Sequence, residues 1–468
     1  MLHKKTIFII SISVISLILL IILFVSLFSS KSYLPNLITL PLQSSSSFSD
    51  ISSLLTNNIK TTITISDKKQ EVDLFLVPDD YSFFITQQDI LFKNNDNSQI
   101  NKFSKNFYDY EYSSSVKILS QREKATFTHY SFARKAQENF ILCEKDLIEE
   151  NSLKLNEFKF MLAEDPYDKI SGGIGLSPNN FIGNEGVNFF SELYKGKYIN
   201  SEIWYINYDK NKDKKNLIIG KMPYNVDNNY DIDDFTFFDI KNKRWELEML
   251  NIIIGEEINE KDENFIKERN FAFRPDSAII NGPYEYFQKI KDKFFTKYIS
   301  NEQCFQHIFE NKLTEYLYIT CNSDISLDDF PPLTIDINNN YKLILTYEDL
   351  FIKNEQQILF LFITNKEEKY SGKWFVGEPF LKKYMPVYDQ GEEKIGFYKV
   401  IINYKSSYRI FGILGFIFFI LCCVILFLLI LYLLRKYRNK KIRRAAVEMR
   451  IEEISSKLIE KQSEYKNV

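Results

Sequence analysis

The side chains that carry most hydrolytic and metal chemistry are scarce in this sequence. There are three histidines, His3, His129 and His307, too few for a His-based metal site or a Ser-His-Asp relay. The five cysteines, Cys143, Cys304, Cys321, Cys422 and Cys423, include no C-x-x-C pair, so no metal site is expected, and no cofactor either. Carboxylate chemistry remains. Asp79 and Asp276 each follow a proline, in VPDD (77–80) and RPDS (274–277). Two carboxylates close enough to share a proton cannot both ionise; one stays protonated and the other acts as general base on a water. Pro-Asp is also good turn chemistry, and the sequence leaves both readings open.

Positioning such groups takes a large scaffold. The chain has 468 residues, 45% hydrophobic and 16% aromatic, enough for packed cores and too long for one, so at least two lobes are expected. The formal net charge of −3 gives no argument for nucleic acid, and none is expected as a partner.

Two uncharged apolar runs frame the chain. Residues 410–434, IFGILGFIFFILCCVILFLLILYLL, exceed the length needed to cross a bilayer of ~30 Å as a helix. RKYRNKKIRR follows, with seven Lys/Arg in ten residues, which places the C-terminus in the cytosol. Residues 7–28 form a second run behind His3, Lys4 and Lys5, a signal peptide or an uncleaved signal anchor. Both flanks put residues 31–405 in the lumen or outside the cell, at a secretory-route membrane or the cell surface. The chain is then single-pass or two-pass.

The middle reads as mostly β. Residues 31–58 are Ser-rich (QSSSSFSD) and weakly patterned, a lead-in. From residue 60, TTITI and EVDLFLV alternate around a polar DKKQ turn, a β-hairpin. Short β-rich runs alternate with turns beyond it, broken by brief helical runs at 188–196 and 283–300. The boundaries expected are a lead segment to 30, the lead-in over 31–58, one β lobe over 59–185, a second over 186–405, the span over 410–434 and a tail over 435–468. In that tail Ile442, Val447, Ile451, Ile454 and Leu458 recur at three-to-five-residue spacing among charges, a helix for a cytosolic partner or the membrane surface, or simply a solvated one.

Several patterns occur in an order that resembles the pepsin-like aspartic proteases. TTITISDKKQEVDLFLV (61–77), with Gln70, resembles the family's opening hairpin. ISGGIGLS (170–177), FFSELYKGKYINSEIWY (189–205), LIIGKMP (217–223) and FAFRPDSAIINGP (271–283) resemble successive family motifs. So do residues 318–332 and KWFVGEPFLKKYMPVYDQGEEKIGF (373–397). The resemblance covers roughly 60–400. It implies a bilobal fold with a cleft that binds an extended peptide under a flap hairpin, and one catalytic aspartate from each lobe.

Counting from Phe84 and from Gly282-Pro283, those aspartates would fall at Val77 and Arg274. Val has no acid–base chemistry, and Arg is always charged and cannot act as a base. The flap's Tyr-Gly would fall near Ser120-Gln121, so the flap tyrosine is missing too. Asp79 and Asp276, at the same offset in both loops, are candidates for a displaced dyad. Arg274 is expected either to pair with an internal carboxylate or to bind an acidic group of a ligand. The resemblance offers Cys321 as a family-like cysteine, and a lumenal setting permits a disulfide with Cys304. The expectation is therefore a membrane-tethered pseudoprotease acting as a binding or scaffolding ectodomain. The alternative is an endopeptidase active through the displaced dyad.

Overall fold

The computed structural model describes residues 36–45, 51–55, 58–88, 105–124, 130–142, 153–166, 170–178, 186–209, 214–227, 230, 232, 235–241, 243–255, 270–311, 314–328, 330–338, 341–353, 356–366, 374–398 and 407–464. The run at 7–28 and Cys143 lie outside them.

The chain divides into two compact units, residues 1–401 and 402–468. The first is mostly β. Its first fourteen strands are β1 (Ile38–Ser44), β2 (Ile59–Ile65), β3 (Gln70–Val77), β4 (Phe83–Thr86), β5 (Lys117–Ile118), β6 (Glu123–Lys124), β7 (Tyr130–Leu142), β8 (Leu153–Pro166), β9 (Gly172–Gly175), β10 (Ile203–Asp209), β11 (Lys214–Ile219), β12 (Phe235–Asp239), β13 (Glu246–Glu248) and β14 (Asn251–Ile254). They are followed by β15 (Asn270–Phe273), β16 (Ile280–Asn281), β17 (Cys304–Asn311), β18 (Thr314–Asn322), β19 (Leu333–Asn338), β20 (Tyr341–Leu345), β21 (Phe351–Lys353), β22 (Gln357–Phe360), β23 (Phe362–Asn365), β24 (Trp374–Val376), β25 (Val387–Asp389) and β26 (Lys394–Tyr398).

Three sheets hold these strands. A long one runs β12-β26-β25-β10-β11-β1-β2-β3-β9-β4-β8-β7-β5, with β6 also on β7. A second runs β13-β15-β24-β16-β23-β18-β22-β21, with β17 on β18, and a third β14-β19-β20.

The expected hairpin is β2–β3, in register from Lys60↔Phe75 to Ile65↔Gln70. Its turn uses left-handed Ser66 (φ 70°) and Lys69 (φ 52°). Residues Val72 to Val77 of β3 are buried on both faces, with Val72, Leu74 and Leu76 in one core cluster and Phe75 and Val77 in another. One ion pair makes that burial tolerable. Lys60 Nζ donates to Asp73 Oδ2 at 2.8 Å, and both side chains are almost wholly buried. Asp73 also accepts from Thr62 Oγ1, from the backbone N–H of Lys105 and Asn106, and from Asn106 Nδ2. A buried charge persists only when its lone pairs are met in this way.

The helix Phe189–Lys195 starts where expected, with the Asn188 side chain accepting from Ser191 N. The run at 283–300 becomes the helices Tyr284–Ile290 and Thr296–Ser300, joined by a π-turn at Lys291–Phe295. The 31–58 lead-in needs correcting. Its residues Ile38–Ser44 form β1, seated between β2 and β11, and Ile51–Leu55 form a short helix whose Leu54 is buried. The serines at 44–47 hid ITLPLQS, whose alternate residues Ile38, Leu40 and Leu42 enter the core.

The second unit is one helix, Ser407–Glu464. Side chains of residues 407–425 lie outside the described ones, so most of the 410–434 run, with Cys422 and Cys423, does too. Among the described residues no helix is long and apolar enough to cross a membrane. Ile442, Val447, Ile451 and Ile454 are exposed on this helix.

Candidate functional site

Two loops with the same architecture face one another. In the first, β3 runs parallel to β9, β9 antiparallel to β4, and β4 parallel to β8. In the second, β15 runs parallel to β24, β24 antiparallel to β16, and β16 parallel to β23. The registers correspond. Ile174 lies between Leu76 and Phe83, and Val376 between Phe273 and Ile280. The intervening residues 77–82 and 274–279 therefore match one to one: Val77 with Arg274, Asp79 with Asp276, Asp80 with Ser277.

The same devices hold both loops. Asp80 Oδ1 accepts from Ser82 N at 2.8 Å, and Ser277 Oγ accepts from Ile279 N at 3.3 Å. A glycine packs beneath each. A Cβ on Gly175 would stand 2.4 Å from the Tyr81 carbonyl carbon, and one on Gly377 2.3 Å from the Ile279 oxygen. Only glycine permits so close a backbone approach. Sequence reading missed the anchoring roles of Asp80, Ser277 and these two glycines, although a side-chain acceptor two residues before its donor is a recognisable local signal.

Arg274 joins the loops. Its Nε and Nη2 donate to Asp276 Oδ1 and Oδ2 at 2.8 and 2.7 Å. Its Nη1 donates to Asp79 Oδ2 at 2.8 Å. Burial opposes the charge of Arg274, but Asp276 and then Asp79 outweigh it and hold the guanidinium pKa above its usual value. The Phe375 ring centroid lies 5.9 Å from the guanidinium carbon. Of the two readings of Arg274, the internal pair is the one seen.

The two partners differ. The Asp79 side chain is 68% exposed, that of Asp276 21%. Among the described residues no hydrogen bond joins one carboxylate to the other. Val77 is buried against Phe75, Phe84, Tyr130 and Met161. At this centre the structure thus places one guanidinium, two carboxylates that both bond it, and a buried aliphatic side chain.

β5 and β6 both pair with β7, from Lys117↔Gln137 to Lys124↔Phe132. Residues 125–129 lie outside the described ones. Ser120 and Gln121, where the flap's Tyr-Gly would fall, lie between β5 and β6, Ser120 half-buried and Gln121 exposed, with Ser120 Oγ accepting from Lys135 N at 2.9 Å.

The model of the eukaryotic aspartyl protease family matches residues 61–400. The chain belongs to the eukaryotic aspartyl protease family. Among curated proteins, none matches it. The matched span takes in both loops of this aspartyl protease family member, from β2 through β26, while β1 precedes it.

Cys304 and Cys321 form a disulfide across β17 and β18, as expected, and both residues are buried. His307, on the same hairpin, stacks on Tyr318 and bonds Thr320 Oγ1 at 2.7 Å, so it has a structural place away from the two loops. Among the described residues no group of three or more His, Cys, Asp or Glu is placed to hold a metal ion.

Proposed function

We propose that this family member binds an extended peptide or protein segment without cleaving it, as a membrane-tethered binding or scaffolding ectodomain. The observation that carries this reading is the Arg274 contact with both Asp79 and Asp276. General-base catalysis by a carboxylate pair needs one shared proton and an ionised partner free to take a proton from water. Here each carboxylate is engaged by a cation. Val77 and Arg274, at the matched positions where the family's chemistry needs its carboxylates, supply neither a base nor an acid. The second reading, an endopeptidase using Asp79 and Asp276 as a displaced dyad, draws on their matched positions and requires Arg274 to leave from between them.

The apolar run at 410–434 is the membrane span in this proposal, with RKYRNKKIRR on the cytosolic side and residues 7–28 as signal or anchor. The ectodomain then faces the lumen or the exterior. The disulfide Cys304–Cys321 agrees with that oxidising side. The helical tail is offered to a cytosolic partner.

The test is the full-length chain in mild detergent on an unfolded protein substrate between pH 3 and 6, with and without a transition-state peptide inhibitor. The expected result is binding of substrate peptides with no cleavage. Cleavage that the inhibitor blocks and that Asp79→Asn abolishes would overturn the proposal in favour of the displaced dyad.

A further inference from the structure

The two ion pairs on Arg274 are unequal in a way that points to a ligand. Asp276 holds the Nε–Nη2 edge with two bonds from a mostly covered position two residues along the same loop. That pair orients the guanidinium and keeps it planar to its partner, the geometry in which arginine recognises carboxylates best. Asp79 holds Nη1 with one bond and reaches it from the opposite loop with most of its side chain in water. An ion pair with so exposed a partner contributes little, because water competes for both charges. These contacts occupy three of the five guanidinium N–H donors. Val77, at the matched position, is buried and uncharged, so it adds no charge to the centre. The Phe375 ring adds a face near the guanidinium.

We infer that Arg274 is a specificity residue for an acidic peptide: a ligand carboxylate takes the place of Asp79 on Nη1, while Asp276 holds the guanidinium in position. This rests on the peptide-binding reading above. It adds the ligand's chemistry, a Glu or Asp side chain within an extended segment. Asp276 alone balances the guanidinium charge, and Asp79 is the placeholder that holds Nη1 when the site is empty, so its removal should sharpen the selectivity.

The experiment uses the full-length chain in mild detergent and a matched set of fluorescein-labelled extended decapeptides. Each sequence is made twice, with Glu or with Gln at the central position, and binding is followed by anisotropy. For the wild type, the best Glu peptides should bind at least about tenfold tighter than their Gln twins, as a charge-assisted bond implies. Asp79→Asn, a change at an exposed side chain, should widen that ratio several-fold. Arg274→Gln should bring it close to one. Equal affinity of the twins on the wild type overturns the inference and leaves peptide binding itself standing. A ratio that Asp79→Asn leaves unchanged or narrows overturns the placeholder role. Failure of every peptide to bind removes the peptide-binding reading and this inference with it.

Discussion

Arg274 Nη1 reaches Asp79 Oδ2 at 2.8 Å across 195 residues of chain, while the matched Asp276 grips the other edge of the same guanidinium. One cation thereby ties together the two loops that the strand registers make equivalent. The three tryptophans, Trp204, Trp245 and Trp374, are buried, so their fluorescence reports unfolding of this unit.

The two aspartates should separate on stability. Asp79→Asn is expected to cost less than about 1 kcal/mol, as exposed ion pairs do. Asp276→Asn is expected to cost about 1.5–3 kcal/mol, because it removes charge-assisted bonds to a largely covered guanidinium. Urea denaturation followed by tryptophan fluorescence checks the order. A larger loss in Asp79→Asn would mean that the cross-loop pair is the main support of Arg274.

Adding one methyl group beneath either loop should be severe. In Gly377→Ala the new Cβ meets the Ser277 and Ile279 carbonyl oxygens at 2.4 and 2.3 Å. In Gly175→Ala it meets the Tyr81 carbonyl carbon and the Ser82 nitrogen at 2.4 and 2.6 Å. Backbone atoms cannot move aside as side chains do. Each variant should lose roughly 3 kcal/mol or more, at or above the upper end of ordinary overpacking, and peptide binding should weaken along with stability.

Asp73 sets an acid limit. Burial raises its pKa, but Lys60, the Lys105 backbone N–H and Thr62 outweigh this, and the carboxyl is held below its usual value of 3.8. A depressed folded pKa gives stability that is present above the unfolded value and lost as the pH falls through the folded one. The gap in stability between wild type and Asp73→Asn should therefore be full at pH 7 and shrink once the pH drops below about 4. Lys60→Met should cost about 3–5 kcal/mol at pH 7, since it strands a buried charge. A gap independent of pH would mean that Asp73 has the same affinity for a proton folded and unfolded.

The disulfide should matter more to the unfolded chain than to the fold. Cys304→Ala combined with Cys321→Ala opens a loop with a sequence separation of 17 and should cost about 3 kcal/mol. Because both cysteines are buried, reductant should act on the native protein only slowly. Mass spectrometry of thiol labelling with and without urea measures this.

Much of the fold was legible because local patterning agrees with it. TTITI and EVDLFLV became β2 and β3 around a turn that the polar DKKQ stretch marks. Asn188 and Gly196 bracket the helix between them, as cap residues should. The two Pro-Asp loops were located by counting from neighbouring motifs, and the strand registers match them residue for residue. The rest depended on distant pairing. Nothing near ITLPLQS says that its partners are residues 215–219. Likewise, the sequence left Arg274 open between an internal carboxylate and a ligand's acidic group, because its two partners are fixed by the fold, one of them on the opposite loop.

The seat of β1 has a consequence for biosynthesis. Strand β1 is flanked by β2 and β11, and β11 is itself held by β10, which waits for β25 near the end of the first unit. A ribosome delivering this chain thus releases β1 long before the partner at Lys215–Ile219 exists. Ile38, Leu40 and Leu42 must stay unpaired on one edge meanwhile, and such an edge invites pairing with other chains. Maturation should therefore be slow, close late and lean on chaperones, with residues 387–389 among the last to lock the sheet.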